Sequence, residues 1–573
     1  MAFTLSLNTS SKICRGVASQ LHRSLKRSIS TSTPEEWDVV VVGGGPAGLA
    51  LASALGSSQL VRESLRVALV EAGDLSKIRD WIPAPETFSN RASSLTHTSQ
   101  TFLKDIGAWA HVDEERTCPI QDMQVWDGVS DARIEFPMSL LGLHSPGQGM
   151  ARMTENLNLQ RGLLRHLSDV PQVQILDKTK VQLIGHAEAG GWPLVHLDSG
   201  RVLRSRLLVG ADGFNSPVRS FANIASFGWA YNTQAIVATM FHPPQGAFKG
   251  PNTTAYQRFL PTGPIAFLPL SPTASSLVWS TQPPLATALM ASEPDVLRHM
   301  INAAFRLPDI SMRYLHGLLL GAHAAGTTLT PSQIQAEIAW RELSHGIDET
   351  SAYASASIEA AKQQGIPPQN AELLPPLVTS LQPGSVASFP LRYSHTDSYL
   401  GEGEGSRTVL VGDAAHSVHP LAGQGLNLGL ADVECLSRCI QNSLLHGGDV
   451  GSRTTLLPYA QERYFANHRT MSVMDKLHKL YSTSFEPVVW ARSVGLEVVN
   501  ELDSVKAALM MEASGKSGLD GGSAWALAAR GVENFATAAN AARMVGAGLP
   551  SLLGASVRGL LKAAGSSSVE RKQ

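Results

Sequence analysis

Charge is scarce in this chain. Only 16 % of its 573 residues are Asp, Glu, Lys or Arg, and 46 basic residues against 48 acidic ones leave a formal net charge of −2. That balance excludes a protein that grips nucleic acid through a basic field. Cysteine is nearly absent, at four residues, which excludes a disulfide-stapled scaffold and points to free thiols. No apolar run reaches the roughly 18–20 residues that a bilayer-spanning helix needs. Aromatic residues are few, 6 %, yet hydrophobic residues make up 43 %. That is enough for a sizeable core and too much for a disordered chain. At about 100–200 residues per domain, the length calls for more than one domain.

The little charge there is lies unevenly. Residues 1–34 hold Lys12, Arg15, Arg23, Lys26 and Arg27, no acid, and 12 Ser or Thr. A basic, Ser-rich, acid-free leader has the composition of a mitochondrial transit peptide. A secretory signal needs an unbroken apolar stretch, and Ser, Thr and Lys interrupt every candidate here. A disordered basic tail is the plainer alternative. Without this segment 41 basic residues face 48 acidic ones, so the body is acidic. At the other end, residues 523–573 carry six basic residues and two acids. Leu549, Leu552, Leu553, Val557, Leu560 and Leu561 fall on one helical face there. The uncharged stretch 544–557 is too short to span a bilayer. A basic amphipathic tail suits docking to an anionic membrane or a partner, with packing on the protein's own surface as the alternative.

Along the body, Trp37–Val42 reads as a buried strand, Gly43–Gly48 as a turn, and the following Ala/Leu run as a helix through about Leu55. Leu65–Glu71 is a second strand, completing a βαβ unit. Residues 122–137 read as a hairpin around Asp127–Gly128. Leu203–Gly210 and Thr408–Val411 are further apolar strands running into Gly/Asp turns. Residues 229–281 are strand-rich and suggest a sheet of another type. Residues 303–380 turn Ala-, Gln- and Ser-rich, with helical spacing at 332–345 and 351–364, and read as a helical insertion. From Asp432 onward the chain reads as helical.

Three motifs carry chemistry. In the first, Gly43-Gly44-Gly45-Pro46-Ala47-Gly48, Gly43 allows a tight turn, Gly45 lets backbone approach a pyrophosphate, and Gly48 permits close helix–strand packing. The helix start offers unpaired N–H groups to phosphates, and Glu71 is placed to accept from an adenosine ribose. Strand, turn, helix, strand and acid in this order specify a dinucleotide site, without separating FAD from NAD. In the second, Gly210-Ala211-Asp212-Gly213-Phe214-Asn215-Ser216-Pro217, Ser216 can cap a helix that begins at Pro217; local physics supports no more than a capped turn. In the third, Gly412-Asp413-Ala414-Ala415-His416 continues to Pro420 and Gly423-Gln424-Gly425-Leu426-Asn427. Its carboxylate directly after a strand could bind a polyol, and the glycines let N–H groups meet a flat acceptor edge at a helix start. A generic loop is the alternative.

In this order the three motifs resemble those of the class A flavoprotein aromatic hydroxylases, the para-hydroxybenzoate hydroxylase-like family, over about residues 37–475. The resemblance implies that Gly43, Gly45, Pro46, Ala47, Gly48 and Glu71 hold the ADP half of FAD. Asp212 and Gly213 would form the turn that touches FAD and pyridine nucleotide, and Gly412 and Asp413 would hold the ribityl chain. Pro420, Gly423, Gln424, Gly425, Leu426 and Asn427 would line the isoalloxazine, with Pro420, Gly423 and Gly425 forming the flavin and oxygen environment. Arg91 would lie near the cofactor. It also implies an α/β fold: a Rossmann-like FAD-binding domain (35–118, 145–220 and 388–450) interleaved with a β-sheet substrate domain (119–144 and 221–387), then a helical C-terminal region (451–573).

Asn90-Arg91-Ala92-Ser93-Ser94, Thr154-Glu155-Asn156, Gln257 through Pro264 and Asn467-His468-Arg469 are similar to the ubiquinone-biosynthesis branch of that family, and the leader and insertion to its mitochondrial members. That implies C5-hydroxylation of 3-polyprenyl-4-hydroxybenzoate through a flavin C4a-hydroperoxide, with O2 as co-substrate. It further implies a peripheral place on the matrix side of the inner membrane, within a biosynthetic protein complex. Electrons would come from ferredoxin and its reductase, or alternatively from NADPH. An epoxidase or prenyl reductase on the same scaffold, or a non-catalytic flavin-stabilised subunit, are the competing functions.

Other residues take plainer readings. His416 and His419 lack the acid or cysteine company of a metal site, so none is expected. Cys435 and Cys439, four apart on a helix, read as core. Trp229, Tyr231 and Trp279 read as core rather than ring-stacking residues. Arg258 either faces substrate or pins the sheet.

Overall fold

The computed structural model describes residues 33–141, 149–186, 191–244, 250–356, 370–418, 423–483 and 485–502, with 506, 509 and 510. The transit-peptide reading and the amphipathic reading of 549–561 therefore fall outside the described residues.

A seven-stranded sheet forms around Glu35–Val42, whose Val39–Val42 run is buried on both faces as a central parallel strand requires. Val67–Val70 lies parallel on one side, followed by Val173–Leu176. Val202–Gly210 lies parallel on the other. Thr408–Leu410 joins the last three residues of that strand in parallel, while the hairpin of Val181–His186 and Pro193–Leu197 joins its beginning. Pro46–Ser57, opened by proline at its first position, packs across this sheet with Asn156–Ser168 and Gln424–Leu445. One continuous core of Val, Leu and Ala joins them.

The second sheet has nine strands, with Ser226–Phe241 and Ala274–Thr281 near its middle and the predicted hairpin, Asp122–Asp127 and Arg133–Pro137, at one edge. Neighbours are antiparallel except Thr254–Leu260 with Asp122–Asp127. Helices Pro283–Ala291, Pro294–Arg306, Asp309–Ala324 and Pro331–Ser344 share a core with it built on Trp126, Tyr256, Phe267, Trp279 and Phe305. These helices form the sheet's own second layer. The helical stretch begins at Pro283, some twenty residues before the expected 303, because Pro283 and Pro294 each start a helix.

Two boundaries need correction. Ala387–Thr396 belongs to the antiparallel sheet, paired with Ser226–Phe241, so residues 388–396 lie there and not in the cofactor domain. Thr117–Ile120 pairs with Ala151–Glu155, which also takes Ala92–Thr96, in a separate three-stranded sheet. That small sheet brings Ser93 opposite Thr154 and Ala92 opposite Glu155, so two of the quoted motif segments are strand partners. The C-terminal helices are Gln424–Leu445, Arg453–Tyr481 and Glu486–Asn500. The first starts eight residues before Asp432, and the last two pack over the hairpin edge of the antiparallel sheet. Among the described residues no helix is long and apolar enough to cross a membrane.

Candidate functional site

The three motifs lie side by side at the carboxyl edge of the parallel strands, where open α/β sheets bind ligands. Pairing of Val42 with Gly210 and of Gly210 with Leu410 sets them in line. Ala211 N–H then donates to Val42 O (2.8 Å) and Val411 N–H to Gly210 O (2.9 Å).

The glycines have distinct jobs. Gly43 has φ +112°, and a Cβ there would lie 2.2 Å from Ala211 O. A Cβ on Gly48 would lie 1.9 Å from Gly43 O, so the helix can approach the turn only without a side chain. At Gly45 a Cβ would meet nothing within 4 Å. That position opens onto the space before the helix start, where Pro46 has no N–H and the amides of Ala47 and Gly48 find no backbone carbonyl among the described residues. A bare glycine surface under free helix N–H groups fits the pyrophosphate of a dinucleotide. Glu71 braces this turn: its carboxylate accepts from Gly44 N–H and Gly73 N–H, each at 2.5 Å. The acid expected on the ribose thus also fixes the loop.

Ala47 joins the first motif to the third. A Cβ on Gly412, which has φ +58°, would lie 3.2 Å from the Ala47 Cβ, and one on Gly429 would lie 3.4 Å from the Gly412 Cα. Asp413, next in the chain, has no hydrogen-bond partner among the described residues. Its side chain is exposed, though protein crowds around the carboxylate. Lost hydration raises its carboxyl above the usual range, with the charge of His416 pulling the other way. A carboxylate without a partner among the described residues, beside the glycine turn, fits a polyol chain.

Gly423 starts the helix Gln424–Leu445 in a left-handed conformation, φ +63°, packed on Ser94. Asn427 ties this helix start to strand Ala92–Thr96: its Oδ1 accepts from Thr96 N–H (2.9 Å) and its Nδ2 donates to Ser94 O (2.8 Å). Asn427 is therefore a staple between this helix start and the strand. Gly425 lies against Val418, and Leu426 packs against the parallel sheet's core. Pro420 lies outside the described residues, as does His419. Arg91 is exposed just before the same strand, and its guanidinium has no partner among the described residues.

Asp212 caps the short helix Pro217–Phe221 by accepting from Val218 N–H (3.1 Å), as Ser216 does from Arg219 N–H (2.8 Å). Its other oxygen is buried without a partner among the described residues, and burial raises its carboxyl. Gly213 makes the turn at φ +80°. Arg219 joins the second and third motifs, donating to Phe214 O (2.6 Å) and Ala414 O (2.9 Å). Nothing in the local sequence gives Arg219 this part.

Arg258 is not in the site. Its guanidinium is buried and donates to Ala304 O and Leu307 O, both at 3.0 Å, at the end of helix Pro294–Arg306. Free carbonyls and the negative dipole end at a helix C-terminus are the natural partners of an arginine. Trp279 and Tyr231 are buried as expected. Trp229 is 42 % exposed and stacks on Tyr393 at 4.4 Å, because the first five residues of its strand run past the core. Cys435 is buried and Cys439 half-buried, both as free thiols.

Sequence reasoning also missed Asp432. Its carboxylate is fully buried. Oδ2 accepts from Gly412 N–H (3.1 Å) and His416 Nε2 (2.6 Å); Oδ1 accepts from Arg463 Nε (2.9 Å) and Asn467 Nδ2 (2.8 Å). Burial alone would raise its pKa, but His416, Arg463 and Asn467 outweigh it and hold the group at about 2. The only signal was its place in the mostly apolar run Leu426–Leu436, which it shares with one other acid, Glu434.

The FAD binding domain family matches residues 36–316 and 378–473. The helix Pro331–Ser344 lies in the interval between these matches. The ubiquinone biosynthesis monooxygenase COQ6, mitochondrial, of Schizosaccharomyces pombe is 37 % identical over 479 residues, covering 82 % of this chain and 90 % of its own length. The protein of the same name from Saccharomyces cerevisiae is 37 % identical over 498 residues, covering 84 % and 95 %. The crystal structure of p-nitrophenol 4-monooxygenase from Pseudomonas putida covers 85 % of this chain and 100 % of its own at TM-score 0.55 and 15 % identity, a likeness of fold. This chain therefore belongs to the FAD-dependent monooxygenase family of the mitochondrial ubiquinone biosynthesis enzymes, and FAD is the dinucleotide its glycine turn is suited to hold.

Proposed function

We propose that this protein hydroxylates the ring of a polyprenylated phenol in ubiquinone biosynthesis, at C5 of 3-polyprenyl-4-hydroxybenzoate. The supporting observation is an apolar cluster beside the isoalloxazine end of the site. Tyr231, Leu391 and Tyr393 of the antiparallel sheet meet Leu428 and Met471 of the C-terminal helices. Val418 joins this cluster, and a Cβ on Gly425 would lie 3.7 Å from it. An aromatic ring carrying a long hydrocarbon suits such a wall, which also keeps water from the reacting atoms. FAD, when bound, supplies the activation of O2. The chain's own residues do the rest. Ala47, Gly48 and the Gly45 turn hold the pyrophosphate, Asp413 the ribityl hydroxyls, and the helix start at Gln424–Gly425 offers N–H groups to charge on the ring system.

A ferredoxin with its reductase is the electron donor in this reading, and NADPH the alternative. The enzyme works on the matrix side of the mitochondrial inner membrane, within a biosynthetic complex, with the basic tail 523–573 as its membrane contact. Mass spectrometry of quinone precursors in cells lacking the protein tests the reaction. An accumulating polyprenylated precursor short of one ring oxygen is expected; an unaltered set of precursors refutes it. Liposome flotation with and without residues 523–573 tests the tail, and equal binding to anionic vesicles would remove it from the proposal.

A further inference from the structure

We propose that Asp432 is a positioning residue for the FAD site, acting through a buried clasp formed with His416, Arg463 and Asn467. The clasp joins three elements. Asp432 sits on the helix whose first turn carries Gly425. Gly412 and His416 flank Asp413. Arg463 and Asn467 stand one helical turn apart on Arg453–Tyr481.

The chemistry of the clasp is directional. All four groups that meet the Asp432 carboxylate are donors, two on each oxygen. The Gly412 and His416 side holds the turn bearing Asp413, and the Arg463 and Asn467 side fixes the carboxylate from behind. Arg463 also donates to Asn467 Oδ1 at 2.6 Å, and Asn467 donates to Tyr399 Oη at 3.0 Å, so the anchoring side is itself held. His416 is 1 % exposed.

A buried charge cluster is weak as a stability device, since apolar residues of equal volume commonly serve as well. What it supplies is position. Gly412 can be held this way only because it lacks a side chain, being pressed between Ala47 and Gly429. The helix is thus fixed twice, at Asn427 to strand Ala92–Thr96 and at Asp432 to the Asp413 turn, and the two fixings set the distance between ribityl and ring contacts.

The test measures FAD affinity of the full-length apoprotein by flavin fluorescence, together with thermal stability. In Asp432→Asn the amide NH2 must face two donors whichever way it turns, so one side of the clasp opens. The FAD dissociation constant is expected to rise at least tenfold. His416→Gln keeps the Asp432–Arg463 pair and weakens only the turn side, with an expected rise of at least threefold; it decides the matter if Asp432→Asn does not fold. Leu436→Ala, a fully buried leucine on the same helix, is the stability control and should stay within twofold of the parent at a temperature where all variants are folded. Parent-like FAD affinity in His416→Gln or in folded Asp432→Asn overturns the proposal. So does a Leu436→Ala variant that loosens FAD as much as the clasp variants for the same fall in Tm.

Discussion

At the cofactor edge of the parallel sheet, elements meet through backbone: Gly43 against Ala211, Gly48 against Gly43, Gly412 between Ala47 and Gly429. In the antiparallel sheet the same task of joining distant elements falls to buried arginines on helix ends. Arg258 holds the end of Pro294–Arg306. Arg492 donates to Leu480 O and Thr483 O at the end of Arg453–Tyr481 while gripping Asp127 with two bonds, at 2.8 and 3.0 Å. The first arrangement leaves polar groups free for a ligand. The second uses them up and leaves an apolar surface. That difference matches the proposed division, with cofactor at one sheet and ring at the other.

The largest test of that contrast lies within one turn. Gly48→Ala must displace backbone, and Gly43→Ala adds a strained φ, so each should cost at least about 3 kcal/mol and lose the folded cofactor domain. Gly45→Ala, three residues before Gly48, should melt within about 1 kcal/mol of the parent yet bind FAD poorly. Asp413→Ala should behave like Gly45→Ala, since its carboxylate has no partner among the described residues. Melting curves and FAD titration of the four variants separate structure from binding. A Gly45→Ala protein that keeps full FAD affinity would contradict the pyrophosphate assignment.

In the antiparallel sheet the order should reverse. Asp127→Ala leaves Arg492 buried and unpaired, at a cost of about 3–5 kcal/mol, with FAD affinity of the folded fraction unchanged. Replacing the pair together, Asp127→Leu with Arg492→Met, should recover most of that stability. Urea unfolding of the single and double variants measures it. An Asp127→Ala protein as stable as the parent would remove the arginine from this account.

The same contrast explains what could be read from the chain before folding. The cofactor turns were legible because each is a contiguous string whose glycines answer to local geometry. Gly43 took its expected part in the tight turn and Gly48 in the close packing, and the strands and turns took their expected order. Arg258 was not legible, because its partners stand 46 and 49 residues away and nothing beside it in the chain shows a helix end overhead. The stapling part of Asn427 was hidden for a related reason: its partner strand Ala92–Thr96 lies 331 residues away. Asp432 stood out only as an acid in an apolar run, which marks a buried partner without naming it.

Histidines give a pH test with one group among the helices of the antiparallel sheet and one on that sheet beside the clasp. Burial holds His316, beside Trp279 in the helical layer, down at about 4. Burial, with the charges of His416 and His468, holds His395 at about 4. Between about pH 6.5 and 4 the unfolded chain takes up protons that the folded one refuses. Stability is therefore full above 6.5 and falls as pH drops toward 4, by up to ~1.4 kcal/mol per pH unit for each histidine. The depressed carboxylates Asp432 and Asp449, each at about 2, act only lower. Their contribution stands above pH ~4 and fades as pH falls toward 2. His316→Gln should flatten the upper window with FAD affinity unchanged, whereas His395→Gln, beside the clasp, should flatten it and loosen FAD. Equal FAD affinity in both would erase that distinction.

The smallest expected effect falls where the two regions meet. Trp229 lies flat on Tyr393, with an interplanar angle of 7°, and Lys479 Nζ sits 5.0 Å from its ring. Such a half-exposed stack with a cation over it is worth about 1 kcal/mol. Trp229→Ala should lower stability by that amount, and less if Tyr393 resettles on Tyr231. Tyr393 and Tyr231 belong to the apolar cluster beside Gly425, so this small loss should still register as weaker binding of a prenylated phenol, with FAD affinity untouched. Trp279→Ala, deep in the same sheet but among the helices, should do the opposite: a loss of several kcal/mol and no change in phenol binding by the protein that remains folded. If both variants bound the phenol equally well, the cluster at Tyr393 would not be the wall against which the ring rests.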